Sequence, residues 1–491
     1  MIWEYMAEAF TLSGLMYCFI GVLTGTLVGV LPGVGPAAAM SLLLPITFGM
    51  GPANAIIMLA GIYYGSQYGG STTAILMRIP GEAASVVTCI DGYMMARKGR
   101  AGAALGLAAF GSFFGGTIGI AGIVFAAPLF SKVALAFGPP EYFALILLGV
   151  LLVTNLSTDP FVKAATMAVL GLFAGAVGID LISGENRFTM GTLTLTDGIS
   201  ISVAAIGLFG IGEVLSNLLD RTAQPHVVKT SIRSLFPNRE EWRRSAKPMA
   251  RGTVLGFFMG ILPGGGAVMA SLTSYALEKR LSDHKEEFGR GAVEGLSGPE
   301  TANNAATAGA FIPLLTFGLP SNVVMALLLG ALQIHGVQPG PAMIEMHPHL
   351  FWSVIASMYI GNVFLMVLNL PLIGLWVQLL RISYTLLFPI IIVGCVVGAY
   401  TVSQNEFDIL IIGVLGVFAY IMRQLSYDIA PFIFGLVLSP LMENAFRQSL
   451  LMSRGSPQIF VERPISAALI ALAAIVLCFP LMKRVVGKSS T

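Results

Sequence analysis

Long apolar stretches, interrupted by glycine, proline and short polar clusters, set the pattern of this chain. Leu12–Leu31, Ala101–Phe130, Phe143–Leu156, Phe351–Trp376 and Ser466–Met482 stand out. They approach the roughly 20 apolar residues that a helix needs to cross a hydrocarbon core ~30 Å thick. The pattern predicts an all-α polytopic membrane protein with about ten to fourteen spans, a range widened by half-helices and re-entrant hairpins.

Composition agrees. Of 491 residues 56% are hydrophobic and only 11% are Asp, Glu, Lys or Arg, whereas a soluble protein is about a quarter charged. Lipid takes the place of the missing surface charge. The net charge of +2 gives no sign of a nucleic-acid partner.

The basic residues report topology instead. Eight Lys or Arg lie between Arg221 and Arg251, against Glu240 and Glu241. The tail adds Lys483, Arg484 and Lys488, and Arg97-Lys98-Gly99-Arg100 forms a third cluster. Short basic loops stay cytoplasmic, so these segments are placed inside the cell. The first residues, Met1 to Glu8, carry acids and no Lys or Arg. They lack the basic start of a signal peptide, which predicts a periplasmic N-terminus and a retained first helix. Cys18, Cys89, Cys395 and Cys478 are widely spaced and form no CxxC pair, so they read as apolar fillers.

A repeat organises the chain. Gly21-x3-Gly25-x3-Gly29-x-Leu31-Pro32-Gly33-x-Gly35 returns as Gly252-x3-Gly256-x3-Gly260-x-Leu262-Pro263-Gly264-x-Gly266, every position offset by 231. Ile79-Pro80-Gly81 has a weaker echo in Leu319-Pro320-Ser321. Glycines every fourth residue let helices approach closely, which accounts for Gly21, Gly25, Gly252 and Gly256. Leu-Pro-Gly-x-Gly asks for more, because proline and paired glycines break a helix. Broken backbone at membrane depth must be buried in protein or line a wet cavity. Paired breaks in two halves point to a transporter's binding site. A second copy that begins beside the basic segment has the opposite orientation to one that begins outside. The predicted domains are therefore a first transmembrane repeat over 1–220, a basic cytoplasmic linker over 221–251, a second repeat over 252–445, and a C-terminal helix and basic tail over 446–491.

Polar residues interrupt the apolar sequence in four places. The turns Pro32-Gly33-Val34-Gly35 and Pro263-Gly264-Gly265-Gly266 each precede an apolar run, so each presents helix N-terminal amides suited to an anion. No Gly-Lys-Ser/Thr follows, which excludes a nucleotide P-loop. The second segment runs from Tyr63 through Ser71-Thr72-Thr73 to Arg78-Ile79-Pro80-Gly81-Glu82 and reads as the tip and return of a re-entrant hairpin. Its hydroxyls either meet a carboxylate or cation or bond back to helix carbonyls. Arg78 either serves function or pairs with Glu82. The third, Glu294 to Thr307, holds Asn303 and Asn304 in a small-residue helix, where their amides must be satisfied internally. Asn303, Asn304, Thr307 and Thr73 offer oxygens to a coupling cation, Na+ or H+, and no other cofactor is expected. The fourth, Gly318-Leu319-Pro320-Ser321-Asn322, predicts a second hairpin tip.

Enzyme motifs are missing: there is no HExxH and no GxSxG in a strand context. His347-Pro348-His349 reads as a solvated turn, and Asp159-Pro160 and Glu185-Asn186-Arg187 as loops. A passive channel for small organic anions is the alternative to a carrier. Symmetric helix breaks favour a midplane site over a continuous polar path.

Leu31-Pro32-Gly33-Val34-Gly35-Pro36, Tyr68-Gly69-Gly70-Ser71-Thr72-Thr73, Ile79-Pro80-Gly81-Glu82, Asp91-Gly92-Tyr93-Met94 and Pro299-Glu300-Thr301-Ala302-Asn303-Asn304-Ala305 together resemble one family. It is the large membrane subunit of bacterial tripartite tricarboxylate transporters, and the resemblance runs from about Gly21 to Pro440. It implies cation-driven uptake of a carboxylate across the bacterial inner membrane. It also implies a small membrane partner subunit, a periplasmic solute-binding protein, and an elevator-type carrier fold built from inverted repeats.

Overall fold

In the first half, local chemistry sets where each helix starts and stops. The computed structural model describes residues 2–31, 35–157, 159–180, 183–219, 232–379 and 384–487. After a single turn, α1 (Ile2–Met6), comes α2 (Leu12–Val30), whose cap Thr11 accepts from the Gly14 amide at 3.1 Å. Helix α3 (Pro36–Leu43) begins on a proline, whose missing amide costs nothing at that position. Helix α4 (Pro52–Met77) runs 26 residues and stops where Arg78 turns left-handed, φ 59°. Then come α5 (Thr88–Met95), α6 (Ala101–Ala134), α7 (Pro139–Leu156) and α8 (Phe161–Gly175). Strands β1 (Gly178–Ile179) and β2 (Asn186–Arg187) form a minimal antiparallel pair. A π-helical stretch, Ile206–Ile211, joins α9 (Ile201–Ala205) to α10 (Gly212–Leu219).

In the second half, α11 (Arg239–Ile261) opens with Asn238 and Glu241 capping each other's amides. It is followed by α12 (Gly266–Leu281), α13 (Val293–Gly309), α14 (Phe311–Phe317) and α15 (Val323–Ile334). The rest is α16 (Met343–Met346), α17 (Pro348–Asn369), α18 (Ile373–Leu379), α19 (Tyr384–Ser403), α20 (Phe407–Gln424), α21 (Ala430–Met452), α22 (Ile459–Glu462) and α23 (Pro464–Gly487).

Five helical stretches among the described residues are long and apolar enough to cross a membrane, and six shorter apolar helices accompany them. The fold is an all-α polytopic membrane protein.

The glycine repeats act in packing as the sequence suggests. A Cβ on Gly21, Gly25 or Gly29 would fall 2.2–2.4 Å from the carbonyl oxygen of Met58, Ile62 or Ser66 in α4. A Cβ on Gly252, Gly256 or Gly260 would fall 2.1–2.4 Å from that of Gly298, Ala302 or Ala306 in α13. In each half, then, the glycine helix lies directly against the backbone of the helix after next. The second set of partners stands 240 residues after the first, and so does Pro320 after Pro80. Arg78 and Gly318, the residues that end α4 and α14, share the same spacing and the same left-handed backbone, φ 59° and 69°.

Three expectations need correction. Tyr63–Thr73 is no hairpin tip: these residues lie inside α4, and the chain breaks only at Arg78. Gly65 and Gly69 give close contact with α2 rather than a turn, while Ser66 and Ser71 donate to helix carbonyls within α4. Phe351–Trp376 is divided between α17 and α18. Arg78 does not pair with Glu82; it lies over the Tyr93 ring, 5.8 Å from its centre.

Arg100 forms an ion pair with Glu241, Arg244 bridges Glu287 and Glu294 at 2.7 Å, and Arg251 pairs with Glu278. These contacts gather the starts of α6, α11 and α13 and the end of α12 at one end of the molecule. The Arg97–Arg100 cluster and the Arg239–Arg251 part of the basic segment therefore share a side.

Candidate substrate-binding site

The two breaks of the second half meet each other. Gly264 donates its amide to the Ser321 carbonyl at 2.9 Å. Gly264 and Gly266 sit at φ +77° and +51°, a conformation that suits glycine and strains other residues. A Cβ on Gly264 would also lie 2.7 Å from the Val153 Cα. Asn322 caps α15 by accepting from the Met325 amide, and its side-chain nitrogen donates to the Tyr63 hydroxyl, both at 3.0 Å. The first-half break, Arg78 to Glu82, is folded equally tightly. Gly81 packs against the Gly29 carbonyl and Gly70, and Glu82 accepts from the Ala84 amide at 3.0 Å.

Between these turns lies a cavity of about 550 Å³, within the range of small-molecule sites. Gly35, Pro36, Pro80, Gly81 and Glu82 line it from the first half; Gly264, Gly265, Gly266 and Asn322 line it from the second. Tyr63, Gln67, Phe209, Glu213 and Asp428 complete the wall. Among the described residues, Gly35 before α3 and Gly265 before α12 have no capping side chain, and both helix starts face the cavity. Uncapped amides and the positive end of each helix dipole favour an anion there.

The acids of the wall differ in how they are satisfied. Glu213 pairs with Arg423 at 2.5 Å. Asp428 accepts from the Ala430 amide at 2.9 Å and from Ser157 at 3.3 Å. Glu82 has one oxygen, Oε1, with no hydrogen-bond partner among the described residues. No Lys or Arg is among the described lining residues.

A polar cluster lies behind this wall, between α4 and α13. Ser71 donates to Glu300 Oε2 at 2.6 Å, and Thr88 donates to Glu300 Oε1. Thr73 donates to the Val30 carbonyl at 2.6 Å, the last residue of α2 before its break. Asn304 donates to Asn303 Oδ1 at 2.6 Å and to the Glu300 carbonyl at 3.1 Å. Thr307 bonds back to the Asn303 carbonyl at 2.9 Å. Thr72, with Ser71 and Ser112, borders a void of about 10 Å³. All of these side chains are buried.

The model of the tripartite tricarboxylate transporter TctA family matches residues 15–434. The chain belongs to that family. It is thus a tricarboxylate transporter subunit by descent, and the family is one of transporters rather than enzymes. An Agrobacterium vitis protein described as an uncharacterized 52.8 kDa protein in the TAR-I ttuC' 3' region is 50% identical over 480 residues, 98% of this chain and 95% of its own. Another from that organism, described as an uncharacterized protein in the TAR-II ttuC' 3' region, is 47% identical over 233 residues, 48% of this chain and 96% of its own. No solved structure matches.

In this TctA-family chain, Gly35, Gly264, Gly265, Gly266 and Asn322 share the cavity wall. Ser321 stands just behind it, its carbonyl holding Gly264 and its hydroxyl directed at the Ala310 carbonyl, 3.3 Å away. Ser71, Thr72, Thr73, Asn303, Asn304 and Thr307 form the buried layer next to it, and exposed Arg78 is in neither. Pro32 and Gly33 lie outside the described residues. Sequence reasoning passed over Tyr63, Gln67, Glu82, Thr88 and Glu300 as site residues. Glu300 could have been found, since an acid in a small-residue helix with no basic neighbour is a functional signal.

Proposed function

We propose that the chain is the permease of a secondary active importer that carries an organic di- or tricarboxylate across a bacterial inner membrane. The carboxylate binds in the cavity between the two broken turns, and a cation accompanies it. The observation that carries this reading is the convergence of Gly35 and Pro80–Glu82 from one half with Gly264–Gly266 and Asn322 from the other on one cavity. Helix starts from both halves would hold the anion through backbone amides, and Asn322 and Gln67 offer neutral polar groups beside them. Neutral donors desolvate a carboxylate less expensively than a buried, unpaired arginine and release it more readily.

The two halves act as inverted-topology repeats that alternate access to this site. Their support is the matching glycine packing and the matching left-handed helix ends, 240 residues apart. A small membrane subunit and a periplasmic binding protein complete the transporter and deliver its substrate. Counterflow tests the reading: vesicles holding the complete transporter and loaded with unlabelled citrate or malate should transiently concentrate the labelled compound. Equilibration without overshoot would mean a channel, and no flux of either compound would remove the carboxylate assignment.

A further inference from the structure

Glu82 and Glu300 flank one turn of α4. A Cβ on Gly70 would lie 2.7 Å from Glu82 Cγ, and the next residue, Ser71, donates to Glu300 Oε2 at 2.6 Å. Both acids are buried, 7% and 0% exposed, and neither forms an ion pair among the described residues. Their partners are neutral: Ser71 and Thr88 hydroxyls on Glu300, and the Ala84 amide on Glu82. From these contacts we infer that Glu82 and Glu300 form the coupling site of the carrier and that the coupling cation is a proton. This rests on the carrier reading above and names its driving ion.

Charge supplies the first argument. Two ionised carboxylates inside a membrane protein without a counter-charge are expensive, and an anionic substrate beside Glu82 adds to the repulsion. A proton on either acid removes one negative charge from the site. Glu82 Oε1, on the cavity wall without a hydrogen-bond partner among the described residues, is the oxygen open to it.

Geometry separates the proton from sodium. Sodium needs a cage of oxygens, but both Glu300 oxygens already accept hydroxyl hydrogens, and the adjacent void is about 10 Å³, scarcely room for one water. Ser71 has a second acceptor, the Gln67 carbonyl at 3.1 Å. Its hydroxyl can swing to Gln67 and accept from a protonated Glu300, so both states of the acid stay hydrogen-bonded. Asn303 Nδ2, fully buried one turn after Glu300, faces the same carboxyl and has no other hydrogen-bond partner among the described residues, so it can follow the change.

Among the described residues, the other ionisable groups around the pair leave it without a counter-charge. Tyr68 and Cys89 interact with Glu300 electrostatically, and Tyr68 donates to Asn362. Tyr63 of α4 faces Glu82, while Tyr64, the next residue, faces Cys18 and Ser357 instead. On α5, Asp91 is held by Tyr275 and the Gly291 and Ala292 amides. Arg251 of α11 is held by Glu278 of α12, and Arg78 lies over Tyr93. In the coupling step one proton from water on the uptake side adds to a carboxylate oxygen, crosses with the substrate and returns to water inside. Only an O–H bond forms and breaks.

The test uses membrane vesicles with the complete transporter, labelled citrate and malate as probes, and imposed pH or sodium gradients. The inference predicts accumulation driven by an inward proton gradient and lost in Glu300→Gln, with counterflow persisting in that variant. Glu82→Gln should lose gradient-driven accumulation in the same way. Infrared difference spectra of the purified protein should show a protonated carboxyl band that titrates in wild type and is missing from Glu300→Gln. Wild-type accumulation by Glu300→Gln, drive by sodium alone, or an unchanged carboxyl band overturns the inference. Wild type without counterflow overturns the carrier reading instead.

Discussion

The Gly264 amide and the Ser321 carbonyl, 2.9 Å apart, tie the break after α11 to the break after α14. Among the described residues no such constraint acts on Gly35, whose backbone is extended at φ −72° and whose Cβ position has none of them within 4 Å. These two glycines, at neighbouring places in the matching motifs, thus answer to different physics. One holds the scaffold, while the other leaves room in the cavity.

Valine at the two positions should separate these roles. Gly264→Val forces a branched residue to φ +77° and against Val153, which costs roughly 1–3 kcal/mol for the strained backbone alone. Its unfolding temperature in detergent should fall. Gly35→Val should unfold like wild type yet lose most transport, because its methyl groups enter the cavity. Equal stability in the two variants, or normal uptake by Gly35→Val, contradicts this assignment.

Thr73 satisfies the Val30 carbonyl where α2 ends. Thr73→Val keeps the shape and removes the donor, leaving a buried acceptor unpaired at about 1–3 kcal/mol. Transport should fall with it, and Thr73→Ser should restore both stability and uptake. Asn304→Ala should lower uptake more sharply, because it strips a donor from both Asn303 and Glu300. If Thr73→Ser failed while Thr73→Val worked, the hydroxyl would have no part.

Much of this was legible in the residues. Proline and glycine spacing located the breaks at Gly35, at Gly264–Gly266 and at Gly318–Asn322, since both residues interrupt a helix. Glycine every fourth residue foretold that α2 and α11 each pack closely on another helix, though not that the partners are α4 and α13. The hydroxyl run before Arg78 was misleading: in sequence, polar residues beside glycines look like a turn. Within α4 those glycines admit neighbouring backbone, and the hydroxyls bond to helix carbonyls or to Glu300. The contact between Ser71 and Glu300 joins residues 229 apart, and no local pattern announces it.

At the end of the molecule where the basic clusters gather, Arg244 holds Glu287 and Glu294. Its hydrogen bonds and charge keep the Glu287 carboxyl below the usual glutamate range. That stability is present above the ordinary glutamate value, about 4.3, and is lost as pH falls through the lowered folded value. Arg244→Ala should therefore melt earlier than wild type at pH 7, with the gap closing under acid conditions. A gap that stayed constant down to pH ~3 would show that the ion pairs add nothing.

The central claim is that one cavity, walled by both halves, holds the transported carboxylate. Ala83 and Ala267 line it from opposite halves, whereas Leu451 is exposed near the end of α21. With the four native cysteines replaced, Ala83→Cys, Ala267→Cys and Leu451→Cys can be alkylated with N-ethylmaleimide, with and without saturating transported carboxylate. The substrate should slow modification at both cavity positions and leave Leu451→Cys unaffected. Unchanged modification at both Ala83→Cys and Ala267→Cys, in variants that still transport, would place the substrate elsewhere.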